Sequence, residues 1–175
     1  MTLAMRHDIS LAERFRTAWR GMGSTVAVVA AEKDGRRQAM LATSVASVSL
    51  DPPSLLVCVN RNASMYATLA ARGAFSLSLL AARQEPLAHH LAKHSGEARF
   101  IEGDWQVHRS GDPCIDGLPW LCGALASVFC RIEDSLDYGT HRIHVGRVLA
   151  VSGDGTCDPL LHGGGRFGQF RAVGG

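Results

Sequence analysis

The residues best suited to chemistry lie in the segment 42–65, ATSVASVSLDPPSLLVCVNRNASM. Hydroxyls cluster on one expected strand, where alternation puts Thr43, Ser47 and Ser49 on one face and Ser44 on the other. A strand-to-helix junction follows. There the stretch 60–64 presents unpaired amides at the positive end of a helix, an arrangement that binds phosphate groups. An anionic ligand finds both kinds of donor in one short segment. The same serines and asparagines also suit plain strand edges and helix caps, and spacing alone does not separate the two readings.

Eight histidines raise the question of a metal. His90 and His94 have the i, i+4 spacing that puts two imidazoles on one helix face, yet no carboxylate or cysteine near them in sequence completes a ligand set. No metal is expected. His89, His90 and His94 read instead as the solvated side of a helix that buries Leu87 and Leu91. His141 opens a strand whose same-face neighbours, Ile143 and Val145, are apolar. Its ring either touches a ligand at the mouth of a barrel or makes a structural hydrogen bond. The cysteines form no Cys-x-x-Cys pair, and Cys58, Cys122 and Cys130 sit in apolar runs as small buried hydrophobes of a reducing compartment. Nucleophile-elbow, Walker and Ser/His/Asp motifs are missing. Hydroxyls and backbone donors with few acids fit cofactor chemistry, in which an organic ring reacts and the protein positions it.

The elements that must position these groups are short. Ser10 to Glu13 reads as a capping box opening a helix with Leu11, Phe15, Ala18 and Met22 on one face, ended by Gly21 and Gly23. A buried strand over 24–31 turns at Asp34-Gly35 into a second strand from Gln38 to about Ser49, stopped by Pro52 and Pro53. The strand 55–59 leads to Asn62 as N-cap of a helix over 63–72, with Gly73 as its stop. In the strand 74–80, Phe75, Leu77 and Leu79 alternate with Ser76 and Ser78, so one face is buried and the other offers hydroxyls. Pro86 suits the first turn of the next helix. Two long strands, 121–132 and 141–151, follow, joined by the polar connection 133–139. Six or seven strands lie too close in sequence for βαβ crossovers, and no Gly-x-Gly-x-x-Gly follows the first strand. The pattern is a mainly antiparallel barrel.

Composition narrows the function classes. A chain of 175 residues with 46% hydrophobic content supplies one core. Its net charge of +2 is spread without a basic block, so nucleic acid is not an expected partner. There is no apolar run long enough for a bilayer and no signal-peptide core near the start, which gives the expectation of a soluble, cytoplasmic protein without a membrane partner.

In order along residues 15–167, several segments resemble the short-chain flavin reductases of two-component monooxygenases, such as the reductase of 4-hydroxyphenylacetate 3-monooxygenase. The strongest is ATSVASVSLDPPSLLVCVNRNAS. QEPLAHHLA at 84–92, Arg99-Phe100, Trp105, GTHRIHVGRV at 139–148 and PLLHGGGRF at 159–167 support it. The resemblance implies a mainly β, antiparallel Greek-key split β-barrel that binds FMN, with a few short flanking helices. It implies one domain over 1–175, with a core of about 15–170, and a homodimer with flavin near the subunit interface.

By the same resemblance, Ala42, Thr43, Ser44, Val45, Ser47 and Val48 line the isoalloxazine. Val59, Asn60, Arg61, Asn62, Ser64 and Met65 hold the ribityl phosphate, with Arg99 and Phe100 close by. His141 is the catalytic histidine bordering the nicotinamide, and Arg166 and Phe167 belong to a terminal segment that closes over the site. The implied reaction is hydride transfer from NADH, or NADPH, to FMN, or FAD, with reduced flavin passing to a partner monooxygenase. His162-Gly163-Gly164 departs from the aromatic and basic residues common in relatives, and Phe167 stands where tyrosine is frequent. That departure keeps open a flavin carrier or sensor without efficient reductase activity. The glycines at 163–165 also predict a mobile segment.

Overall fold

The computed structural model describes residues 9–153 and 155–173. Helix α1 (Leu11–Trp19) is closed by the expected capping box: the Glu13 amide donates to Ser10 Oγ at 3.2 Å, and the Ser10 amide donates to the Glu13 carboxylate at 2.9 Å. Its apolar stripe exists but is not covered, because α1 buries none of its residues and Met22 lies beyond its end. Phe15 and Trp19 stack on each other at 5.2 Å and both stay more than half exposed.

The strand expected over 24–31 is two strands, β1 (Ser24–Thr25) and β2 (Ala27–Lys33). Val26 separates them, and its backbone is held by Leu160 O and Leu80 N as the chain passes from one sheet to another. Asp34 and Gly35, at φ of 54° and 76°, then make the two-residue hairpin to β3 (Arg36–Ala42).

The strand expected from 38 to 49 is also two, β3 and β4 (Val45–Leu50), and the break at Thr43-Ser44 explains the architecture. With β5 (Pro53–Asn60), β6 (Ala74–Leu79), β9 (Ala126–Tyr138) and β10 (His141–Ser152), the main sheet runs β3-β2-β6-β9-β10-β5-β4, antiparallel throughout. Its two edge strands are therefore consecutive in the chain. From Ala42 to Val45 the backbone spans at most about 11 Å. The sheet must curl until its edges nearly meet, which makes a barrel split at Thr43-Ser44. A small sheet of β1, β11 (Leu160–Gly163) and β12 (Arg166–Gln169) and the hairpin of β7 (Trp105–Val107) and β8 (Pro119–Leu121) lie outside it.

Val29, Phe75, Met65 and Phe129 fill the barrel, and a second cluster of Leu80, Leu91, Phe100 and Leu121 lies under helix α3 (Glu85–Lys93). Ser76 and Ser78 do not face solvent as alternation predicts. Both are buried, because β8 covers that face: Ser76 donates to the Pro119 carbonyl and Ser78 shares a 2.8 Å bond with Ser127. The polar stretch 133–138, expected as a connection, continues β9, and the turn is only Gly139-Thr140. Gly164 and Gly165, at φ of 61° and 79°, form the two-residue turn between β11 and β12. Burial pushes the Cys130 thiol up to about 12, whereas Cys122 is exposed, contrary to its apolar sequence context.

Candidate functional site

The junction between β5 and helix α2 (Ser64–Arg72) is built by short-range bonds. Asn60 accepts the Asn62 amide on Oδ1 and the Ala63 amide on its carbonyl, both at 2.9 Å. The Arg61 amide donates to Thr140 O at 3.0 Å and its guanidinium donates to Gly139 O at 2.7 Å. These bonds pin the junction to the tip of the β9–β10 hairpin. They also put His141 opposite Asn60 in the ladder.

The N-cap is Ala63 rather than Asn62, because Asn60 already closes the turn that Asn62 enters. Alanine brings no side-chain acceptor, and although the Tyr66 amide turns back onto Ala63 O at 3.0 Å, no side chain caps the positive helix end at Ser64 and Met65 against an external anion. Gly73, left-handed at φ 69°, ends the helix as expected.

A cleft of about 390 Å³ opens beside this helix end. Met40, Leu41, Met65 and Leu91, with Ala63 and Ala92, form its apolar wall, while Ser64 and Arg99 supply the polar groups. Ser64 Oγ donates to Gln38 Oε1 at 3.0 Å. Arg99 Nε donates to the carbonyls of Leu91 at 3.1 Å and His94 at 2.6 Å, and Nη1 donates to that of Ala39. Nη2 faces none of these carbonyls. Partial burial lowers the Arg99 pKa from its ordinary value, but a guanidinium stays charged throughout the neutral range.

Of the expected site residues, Val59 is fully buried, Asn60, Arg61 and Asn62 shape the junction, and Ser64, Met65 and Arg99 meet in the cleft. Phe100 is not among the cleft residues: it packs on Trp105 at 4.5 Å, with the Arg37 guanidinium over its ring at 4.3 Å. Ala42 is buried and Val45 half-buried, while Thr43 and Ser44 at the break and Ser47 and Val48 on β4 are exposed. The expected face assignment of these hydroxyls fails, because the strand breaks at 43–44 and shifts register between Ser47 and Ser49. Ser49 is committed to bonds with Asp51.

His141 is exposed, its Nδ1 2.9 Å from Thr140 Oγ1. Phe167 lies elsewhere, edge-on to His89 at 4.9 Å, and Arg166 is exposed beside it on β12. No contact among the described residues joins them to His141. Sequence reasoning missed Gln38, Met40 and Leu41; the only signal for them was their place on a strand running into the hydroxyl segment. Among the described residues no group of three or more His, Cys, Asp or Glu is placed to hold a metal.

His144 is buried, 2% exposed, with Nδ1 2.8 Å from Ser135 Oγ and no partner for Nε2 among the described residues. Burial, then the Arg142 charge, lowers its pKa below the ordinary value, against a smaller opposing effect of Asp137. The unfolded chain therefore binds this proton at a higher pH than the folded one. Stability should be fully present above the unfolded value of about 6.5 and fall as pH drops towards the lower folded value. Urea midpoints from pH 8 to 5 test this, and His144→Gln should flatten the acid side.

Residues 19–171 match the family model described as the flavin reductase like domain. The chain is 36% identical over 153 residues to the reductase component of the FADH(2)-dependent resorcinol hydroxylase of Rhizobium sp. (strain MTP-10005), covering 86% of this chain and 82% of that protein. It is 36% identical over 149 residues to the FMN reductase (NADH) RutF of Agrobacterium fabrum (strain C58 / ATCC 33970), covering 85% and 82%. The NADH:FAD oxidoreductase SgcE6 of Streptomyces globisporus C-1027, solved in complex with NAD and FAD fragments, superposes with a TM-score of 0.83 at 32% identity, over 93% of this chain and 96% of that one. With its barrel split at Thr43-Ser44 and its open helix end at Ser64, the chain belongs to the flavin reductase like domain family.

Proposed function

We propose that this chain is an NAD(P)H-dependent flavin reductase that supplies reduced flavin to a partner monooxygenase. One observation carries the reading: Ser64, Arg99 and the uncapped end of α2 converge on one cleft, in a chain similar to an FMN reductase (NADH) and to an NADH:FAD oxidoreductase. The donor set fits an FMN phosphomonoester, which needs charge-assisted hydrogen bonds and a positive helix end. Flavin, when bound there, would supply the redox chemistry as a two-electron hydride acceptor from the nicotinamide.

The chain's own residues bind and orient. Arg99 and the helix end at Ser64 hold the phosphate, with the Ser64 hydroxyl turning from Gln38 to donate to it, and Met40, Leu41 and Leu91 exclude water beside it. The break at Thr43-Ser44 leaves backbone groups outside the regular ladder, as an isoalloxazine edge requires, and Ser47 and Val48 extend that surface. His141 borders the nicotinamide. His141 and the Arg166-Phe167 pair lie apart within one chain, and Leu11, Phe15, Trp19 and Leu50 are exposed, so a homodimer that covers this apolar surface and completes the nicotinamide site is part of the reading. A cytoplasmic location accords with five free thiols, and among the described residues no helix is long and apolar enough to cross a membrane. The carrier or sensor alternative has no observation in its favour, since 163–165 makes an ordinary hairpin.

NADH and NADPH oxidation, followed by absorbance with FMN, FAD or riboflavin added, tests the activity. Turnover that depends on flavin is expected, and its absence with both nicotinamides overturns the reading. His141→Ala should raise KM for the nicotinamide by about fivefold, the size of one hydrogen bond, and leave flavin affinity unchanged. An equal loss of both would remove His141 from the nicotinamide site.

A further inference from the structure

We propose that His90 is a positioning residue: it clamps the 3-10 turn Gly96–Phe100 to α3 and so aims Arg99 at the phosphate end of the cleft. The inference rests on the phosphate reading of Ser64 and Arg99 given above. His90 is not the solvated residue that helical spacing suggests, since its side chain is only 9% exposed. Its Nε2 lies 2.8 Å from the Ala98 carbonyl. A carbonyl only accepts, so Nε2 carries the proton and donates. Its Nδ1 lies 3.3 Å from the Glu102 carboxylate.

The bond from His90 reaches the residue just before Arg99, and α3 grips Arg99 itself as well. The Leu91 and His94 carbonyls, at the C-terminal end of α3 where helix carbonyls lack intrahelical donors, both accept from Arg99 Nε. The His94 ring stacks on that of His90 at 4.1 Å and 25°, with its Nδ1 2.8 Å from His90 O. On the other side, Glu97 is tied to Arg37 of β3 at 2.6 Å. The turn is thus held at Glu97 by β3 and at Ala98 by His90, and Arg99, the next residue, lines the cleft. Without the His90 clamp, a long side chain with many rotamers keeps its carbonyl partners only by itself, and its Nη2, which bonds none of those carbonyls, loses a fixed direction.

Paired flavins test the proposal, because riboflavin lacks the phosphate that Arg99 meets. In His90→Phe, KM for FMN should rise about three- to tenfold, the range of one lost bond, with KM for riboflavin and kcat unchanged. His90→Gln, whose side-chain amide can reach the Ala98 carbonyl, should restore most of the FMN affinity. Should the phenylalanine variant not fold, His90→Asn, too short for that carbonyl, is compared with His90→Gln in its place. Equal changes for both flavins, no change for either, or no difference between Gln and the non-donating variant would overturn the role. A wild-type enzyme that uses riboflavin as well as FMN would overturn the phosphate cleft itself, and that result is read before any variant is made.

Discussion

Replacing Arg99 by leucine should weaken FMN binding by about 2 kcal/mol, roughly 30-fold, since a hydrogen bond to a charged group contributes that much. The side chain spans the cleft wall: Nε and Nη1 are spent on three carbonyls of α3 and β3, and the rest of the guanidinium is left for an anion beside Ser64. Leucine keeps part of the apolar stem and removes every donor. Flavin fluorescence titration reads the affinity, and riboflavin separates the two consequences of the change. Loss of the anion contact affects FMN alone, whereas collapse of the wall affects both flavins. Because the lost contact is between charges, raising the salt concentration should weaken FMN binding in the native protein and have little effect in Arg99→Leu. Unchanged FMN affinity in the variant would place the phosphate elsewhere.

What is legible in the sequence divides along a physical line. Features set by a residue and its near neighbours are readable: the Ser10 and Glu13 box, the Asp34-Gly35 turn, Gly73 as a left-handed stop and Pro86 at the start of α3 all stand where local chemistry puts them. Features set by what lies alongside in space are not. Nothing local tells Ser76 and Ser78 that β8 will cover them, nor residues 133–138 that β10 will pair with a strand having no buried face. The hydroxyl-rich stretch is continuous in propensity, and only closure of the sheet breaks it at Thr43-Ser44.

The candidate site follows the same division. Ser64 and its helix end follow from a strand-to-helix junction, and Arg99 came in only through resemblance. Gln38, Met40 and His90 reach the cleft or its support from segments with no local mark of function. His90 shows the limit best. Helical periodicity put it on a wet face, but the 3-10 turn folds back over that face and turns a surface position into a clamp.

Gly146 is the position at which the barrel itself should be most sensitive. It lies where β10 shifts register against β9, between Val145 and Gly146, and its backbone approaches the barrel interior so closely that a Cβ there would sit 2.8 Å from Phe75 Cζ and 3.0 Å from Cys130 Cβ. Both neighbours are fully buried, so neither ring nor thiol has free volume to move into. The backbone φ is not in the left-handed region, so any penalty is steric rather than conformational. Overpacking of this kind costs about 1–3 kcal/mol, and valine, which adds two further carbons, should lie near the upper end with alanine near the lower. For a chain of this length about 2 kcal/mol corresponds to a fall in Tm of roughly 4–8 °C. Thermal melts at fixed protein and flavin concentration read the shift, with Phe75→Leu as the second half of a double-mutant cycle. If the ring is the obstacle, Gly146→Val should cost less in the Phe75→Leu background than alone. Because β10 begins at His141, bending it at Gly146 should also displace the hairpin tip that Arg61 holds, and the variant should lose nicotinamide and FMN affinity together, unlike His141→Ala, which loses only the first.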